Sequence, residues 1–295
     1  MPIIAGITFF LVCLLHVSAA PPKPLVLLRN CSFVPTAWAD GDSFRIKTAA
    51  GEEHTIRLYG ADCMEWHIGD DTDARRLRAQ RRYFGITEAA PKAADAIAMA
   101  KSFGKQAAGT TAALLAKPFT VHTRFRNALG DGKYLRIYAF VETADGADLA
   151  AELVKRGLAR VFGVYDEGPE ERSAAAYQKT LVDLELQAAK RGLGIWSKTN
   201  WDKLPVEREA QRKDDDEATL AIGNNKLKPG DKINPNEAAR DELMKLPGIG
   251  EEMANRIIEA REGAPFGRPE DLLRVPGIKL KTLDKFRNHL GFKAP

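Results

Sequence analysis

The chain has 295 residues, 44% hydrophobic and 28% charged, ordinary globular proportions with length enough for two modest domains and their cores. A net charge of +4 is mildly basic, which suits a polyanionic partner without requiring one. Three cysteines without a CxxC pair or a Cys/His cluster exclude a zinc-binding module.

The first twenty residues, MPIIAGITFFLVCLLHVSAA, contain no Lys, Arg, Asp or Glu. Their apolar run from Ile3 to Val17 is shorter than the about 20 residues a spanning helix needs. It ends in Val17-Ser18-Ala19, a small-x-small cleavage pattern. Residues 1–19 are therefore expected to be a secretory signal, the protein to be secreted or periplasmic, and no stable membrane association to survive its cleavage. Cys13 would leave with the signal. Cys31 and Cys63 could pair in an oxidising compartment, which spacing alone does not decide.

From Val26 to about Phe140 the pattern is that of short strands and one helix. VLLRNCSFV, SFRIKTA and EHTIRLYGA are apolar or alternating runs, and AAGEE turns between the last two. Trp66 to Ile97 crowds its arginines beside Tyr83 and Phe84, either a nucleic-acid contact or a solvated helical excursion. KSFGKQAAGTTAALLAK is helical in spacing; FTVHTRF and KYLRIYAFV then alternate again. ADLAAELVKRGLARVF and AAYQKTLVDLELQAAKRGLGIW have amphipathic helical spacing. Strands first and helices late predict an α+β domain over residues 25–200, a small barrel with helices packed on it.

Residues 201–231 are polar and mixed in charge, which predicts a flexible linker, its KDDDE run a solvated acidic stretch. Residues 232–295 hold an internal repeat: LMKLPGIGEEMANRII and LLRVPGIKLKTLDKF share one frame. Each copy is too small to bury its own core, so the two are expected to pack together, with INPNEAARDELMKL as the lead helix.

Acids and arginines recur around the barrel segment. WADGDSFRI places Asp40 and Asp42 about Gly41, and Asp-Gly is a strong short hairpin signal because both residues tolerate positive φ. Arg57 follows on a strand that ends RLYGADCMEW, with Asp62 and Glu65 just past it. Antiparallel pairing would bring those acids together. DGKYLRIYAF adds Lys133, Tyr134 and Arg136. Carboxylates and a carbonyl suit Ca²⁺, a hard cation, and two arginines suit a phosphate, whose oxygens the guanidinium fork matches.

DGDSF, RLYGADCMEW, KYLR, LVKRGLARV and RGLGIW, in that order, resemble the staphylococcal-nuclease (thermonuclease) family over roughly residues 25–197. The resemblance implies an OB-type five-stranded β-barrel with helices and a Ca²⁺-dependent endonuclease that leaves 3′-phosphate ends on DNA, with RNA left open as a substrate. By the same resemblance Asp42, Asp62 and the carbonyl of Cys63 hold Ca²⁺, with Asp40 close by. Glu65 acts through a water, as general base or as organiser of the metal's water shell. Arg57 and Arg136 hold the phosphate and stabilise transition-state charge, and Tyr134, with Lys133 beside it, contacts the nucleotide. Tyr165 is a candidate base-stacking residue. Met64 stands where the family usually has proline, which predicts a looser loop around Glu65, and Leu135 stands where glycine is common.

The repeat resembles tandem helix-hairpin-helix modules of competence-type DNA-binding proteins, an all-α unit. The resemblance implies that Gly248, Ile249 and Gly250 present backbone N–H groups to a DNA phosphate. In the weaker copy, around Gly277, Lys279 or Lys281 contacts the backbone instead. Phosphate contacts position without reading sequence, so DNA binding is expected to be non-specific and salt dependent. The alternative is a non-catalytic DNA-binding protein for capture or uptake, because OB barrels also grip single strands.

Overall fold

The computed structural model describes residues 24–128, 135–223, 227 and 230–292. The expected signal, Lys133 and Tyr134 lie outside the described residues. Strands β1 (Val26–Val34), β2 (Ser43–Lys47) and β3 (Glu53–Leu58) are followed by the short β4 (Ala61–Cys63). After helices α1 (Asp71–Phe84) and α2 (Ala93–Leu114) come β5 (Phe119–Asn127) and β6 (Arg136–Glu142). The five long strands close into a barrel in the order β1-β2-β3-β6-β5, the α+β barrel expected from the sequence. Helix α3 (Leu149–Lys155), β7 (Ala159–Val161) and α4 (Ala174–Lys190) follow, and β7 pairs with β4 beside the barrel.

Period-two alternation sets the two faces of each strand. Phe44, Ile46, Ile56 and Leu58 point into the barrel with Phe119, Val121, Ala139 and Val141. Full burial of side chains this size contributes about 1.5–3 kcal/mol each. Their neighbours Ser43 and Arg57 fall on the other face and are partners across the antiparallel β2–β3 ladder. β3 pairs with β6 in parallel, Thr55 opposite Arg136 and Arg57 opposite Tyr138. Parallel partners need a long crossover, and α1, α2 and β5 occupy it. The register puts Arg57 and Arg136 on one face, diagonal to each other.

The Asp40-Gly41-Asp42 turn lies in the connection from β1 to β2. Gly41 is absent from the positions with positive φ, so the mirror-type hairpin turn expected from Asp-Gly is not formed. Space requires glycine instead: a Cβ there would lie 2.7 Å from both Ala107 Cβ and Cys63 Sγ.

Residues 201–231 depart from the expected flexible linker, for Leu204–Gly223 is a helix, α5. Its Glu, Arg, Gln, Lys and Ala content favours helix, and its partner is a charged helix rather than an apolar core. Arg208 Nε donates to the Tyr83 carbonyl at 3.0 Å, and its guanidinium covers the Tyr83 ring at 4.4 Å. Asp214, from the KDDDE run, accepts from Arg82 at 2.6 Å and from Arg78 at 3.0 Å. The arginine-rich segment is thus a helix whose side chains bond internally: Arg81 donates to the Thr87 carbonyl at 2.7 Å, and Arg76 reaches Glu65.

The C-terminal repeat folds as one unit around α6 (Arg240–Leu243), α7 (Glu251–Gly263) and α8 (Leu280–Phe286). The lead helix is shorter than expected, because residues 235–237 form a turn held by Asn236 N donating to Asn234 Oδ1. Equivalent positions of the two copies, Leu246 with Val275 and Ile249 with Ile278, enter a single core with Ile257, Phe266 and Phe286. Both hairpins close alike, Ile249 N donating to Leu246 O and Ile278 N to Val275 O, each at 3.0 Å.

Candidate active site

The acids and arginines singled out in the sequence meet at one end of the β2–β3 pair. Arg57 Nη1 donates to Asp42 Oδ1 and Nη2 to Asp62 Oδ1, both at 2.7 Å. Asp42 Oδ2 accepts from the Cys63 backbone N–H, which ties the turn to β4. Asp62 Oδ2 accepts from Arg160 Nε at 2.7 Å and from Gln80 Nε2 at 2.9 Å. Arg57 and Arg136 both donate from Nη1 to the Ser43 hydroxyl at 3.3 Å, so one buried oxygen lies between the two guanidiniums.

Glu65 sits just beyond β4, buried, with Arg76 Nη1 donating to its Oε1 at 3.1 Å. Met64 is fully buried among Leu77, Phe84, Ile86 and Trp196. The loop expected to be loose for want of a proline is therefore anchored by an apolar side chain. Leu135, by contrast, is 74% exposed. Helix α2 crosses both halves of the site with small residues. Thr111 Oγ1 donates to the Gly41 carbonyl at 2.7 Å, and Gly104 lies against the Met64 carbonyl.

Charge in this cluster is unevenly compensated. Burial alone would raise Asp62, but Arg160 and Arg57, with the Gln80 hydrogen bond, hold its carboxyl below the usual carboxylate range. Burial pushes Asp42 up, and the Arg57 it shares with Asp62, together with the Cys63 N–H, only opposes that rise. Glu65 is pushed up to about 7, chiefly by burial, with Arg76 opposing and Asp62 and Asp42 adding to the rise. Burial raises Asp40 to about 8, and the charges of Glu65 and Asp42 contribute.

These residues fit a hard divalent cation. Such a cation takes oxygen ligands, and Asp42, Asp62 and the Cys63 carbonyl offer them, with Asp40 beside the set. Asp40 Oδ1 is buried with no hydrogen-bond partner, and burial raises Asp40, Asp42 and Glu65 more than the neighbouring arginines lower them. Among the described residues no three His, Cys, Asp or Glu side chains group to hold a metal, so the set needs the backbone carbonyl as its third ligand. The Cys63 sulfur does not compete, since burial pushes its thiol well above its ordinary range. Cys31 and Cys63 are both buried free thiols and form no disulfide.

Tyr165 is half-buried in the packing around the barrel core, its ring so near Gly60 that a Cβ there would lie 2.8 Å from it. Sequence reasoning missed Ser43, Arg76, Gln80 and Arg160. Ser43 and Arg160 lie inside the DGDSF and GLARV blocks and were within reach of it. Arg76 and Gln80 carry no pattern, only membership of the arginine-rich segment.

In the C-terminal unit Gly248 and Gly277 adopt φ of 85° and 98°, the left-handed conformation glycine tolerates. Gly250 caps α7 and Lys279 caps α8, with Lys279 and Lys281 exposed. Ile249 is corrected: its side chain is buried and its N–H is spent on Leu246, so it shapes the hairpin rather than facing a phosphate. Two basic residues unnoticed in the sequence cross between the copies. Arg256 of α7 donates to the Pro276 carbonyl at 3.0 Å, and Lys285 of α8 runs beside Gly248.

Residues 80–198 match the family described as staphylococcal nuclease homologue, and residues 228–291 match the helix-hairpin-helix motif, in the order expected. The first match includes Arg136 and Arg160 and begins after Asp42, Asp62 and Glu65. Over 49 residues the chain is 43% identical to DNA polymerase III PolC-type of Staphylococcus epidermidis, covering 17% of this chain and 3% of that protein. Over 60 residues it is 38% identical to endonuclease/exonuclease/phosphatase family domain-containing protein 1 of Mus musculus and of Homo sapiens, covering 20% of this chain and 10% of each relative. The chain thus spans a tenth or less of the length of these relatives.

Proposed function

We propose that this chain, a staphylococcal-nuclease-type domain followed by a helix-hairpin-helix module, is an exported Ca²⁺-dependent nuclease that hydrolyses phosphodiester bonds of DNA and leaves 3′-phosphate ends. The observation that carries the reading is the meeting of Asp42, Asp62 and Glu65 with Arg57 and Arg136 at one strand end. Asp42, Asp62 and the Cys63 carbonyl would hold the cation, with Asp40 beside them. When bound, Ca²⁺ polarises a phosphoryl oxygen and lowers the pKa of water.

The chain's own groups do the rest. Arg57 and Arg136 share a face and clamp the phosphate, where preorganised donors act most on charge that develops in the transition state. Glu65, with a pKa near 7, is matched to accept a proton from water at neutral pH. The water oxygen bonds to phosphorus as the bond to the 5′ oxygen breaks, and the departing oxygen takes its proton from solvent. The C-terminal module holds DNA by its backbone, raising its local concentration at the barrel.

One observation favours the rival reading of a barrel that binds without cutting. All four oxygens of Asp42 and Asp62 already accept from protein donors, as structural ion pairs would. Product analysis separates the two readings. Cleavage in Ca²⁺ but not in chelator, with 3′ ends that a polymerase extends only after phosphatase treatment, supports the proposal. Bound but uncut DNA supports the rival. N-terminal sequencing of the protein recovered outside the cytoplasm, expected to begin at Ala20, tests export.

A further inference from the structure

We propose that Gln80, on helix α1 in the connection from β4 to β5, is a positioning residue for the cation-binding set and for Glu65. The inference rests on the nuclease reading and adds to it a residue that none of the recognised motif blocks contains.

Gln80 is 1% exposed and uses its carboxamide on three separate parts of the site. Nε2 donates to Asp62 Oδ2 at 2.9 Å and to the Cys63 carbonyl at 2.7 Å. Oε1 accepts from the Glu65 backbone N–H at 2.8 Å. A carboxamide has two N–H donors and one carbonyl acceptor, so both donors are spent and the amide has one sense only. Flipped, it would set its oxygen against two acceptors and its NH₂ against an N–H.

Each bond fixes something the chemistry needs. Arg160 and Gln80 together occupy Asp62 Oδ2, which leaves Oδ1 to accept from Arg57. A carbonyl oxygen has two lone pairs, and Gln80 takes one at Cys63, leaving the other for a cation. The bond to Glu65 N sets the start of the loop from which that side chain projects. Ligand spacing and Glu65 placement therefore depend on one side chain, as outer partners of a metal site orient its ligands.

The helix bearing Gln80 is held at both ends and along one side. Asp70 caps α1 by accepting from Thr72 N and Asp73 N, and Gly85 ends it in the left-handed conformation. Helix α5 braces it through Asp214 and Arg82. One turn before Gln80, Arg76 holds the Glu65 carboxylate directly. A positioning amide is useful only on such a fixed element. Gln80 meets no substrate and is not itself catalytic.

The test uses the full-length protein with Gln80→Met, which keeps volume and removes all three bonds, and Gln80→Glu, which keeps the acceptor and sets oxygen against oxygen at Asp62 and Cys63. Ca²⁺ binding is read by calorimetry on chelator-stripped protein, and kcat and KM on a defined DNA substrate. Both variants are expected to bind Ca²⁺ and to turn over about 10–100-fold less well, the usual cost of removing an outer partner. KM is expected to change little, because the phosphate-holding arginines are untouched. If Gln80→Met does not fold, Gln80→Glu carries the test. A folded variant with Ca²⁺ affinity and kcat within about 3-fold of the wild type overturns the inference while the nuclease reading stands. A wild type that neither binds Ca²⁺ nor cuts DNA overturns both.

Discussion

Gly104 of α2 lies so close beneath Met64 that a methyl group added to its Cα would overlap the Met64 carbonyl oxygen. Three residues further along, Ala107 fills the space over Gly41. One helix face of small residues therefore seats the turn carrying Asp40 and Asp42 and the loop carrying Glu65. Gly104→Ala ought to gain up to about 1 kcal/mol of helix propensity. Overpacking costs about 1–3 kcal/mol and decides the sign. The expected outcome is a lower thermal midpoint and a larger loss in cleavage rate, since the displaced carbonyl belongs to the residue preceding Glu65. An unchanged rate would show that the loop yields without moving Glu65.

Arg57 is the sole side chain joining Asp42 to Asp62 among the described residues. Removing one partner from a buried ion pair costs about 3–5 kcal/mol, because the remaining charge is left uncompensated. Arg57→Ala is expected to be destabilised by that order in chelator. Ca²⁺ should then raise its thermal midpoint more than it raises that of the wild type, because the cation supplies the missing counter-charge. Equal shifts in both proteins would separate the cation from these carboxylates.

Much of this site was legible because its residues fall in contiguous blocks whose strand character could be read. Alternation in SFRIK and EHTIRL, with a turn between, is enough to bring Asp42 and Arg57 together. The parallel pairing of β3 with β6, which aligns Arg136, has no such local sign, for it depends on how a long crossover closes the barrel. Gln80 was hidden for the same reason, since it reaches Asp62 from a distant element with no motif around it, whereas Arg160 sits in a readable block and only its partner was not legible. The expected linker failed because low apolar content was equated with lack of a partner, whereas α5 packs through Asp214, Arg208 and the Tyr83 ring. At Gly41 the residue was read for its torsional freedom, and the fold uses its small size.

Glu259 of α7 lies beside Arg126 of β5, 4.0 Å away, and close to Asp166. Burial pushes its carboxyl up to about 7, Arg126 opposing and Asp166 and Glu262 adding. The folded protein then holds this proton more tightly than the unfolded chain, where the group titrates near 4.5. Its contribution to stability is complete below that value and is lost as pH rises through about 7. Thermal midpoints measured from pH 5 to 8 should fall more steeply for the wild type than for Glu259→Gln. Parallel curves would show that Glu259 titrates as an ordinary surface acid.

Lys279 and Lys281 are exposed at the start of α8, next to the Gly277 hairpin. Replacing both by Gln should leave the fold intact and weaken DNA binding equally for unrelated sequences. For every phosphate no longer neutralised by a lysine, the slope of log K against log salt should fall by about 1. A variant with the wild-type slope would place the DNA on another face of the module.

The most direct measurement is degradation of plasmid and single-stranded DNA by chelator-stripped protein, with and without added Ca²⁺, beside Glu65→Gln. Cleavage is expected only with Ca²⁺, and should fall by at least about 10²-fold in the variant, the scale of a lost general base. DNA binding should persist in both proteins. DNA that stays intact under every condition while bound at low salt would contradict the enzyme and leave a DNA-holding barrel.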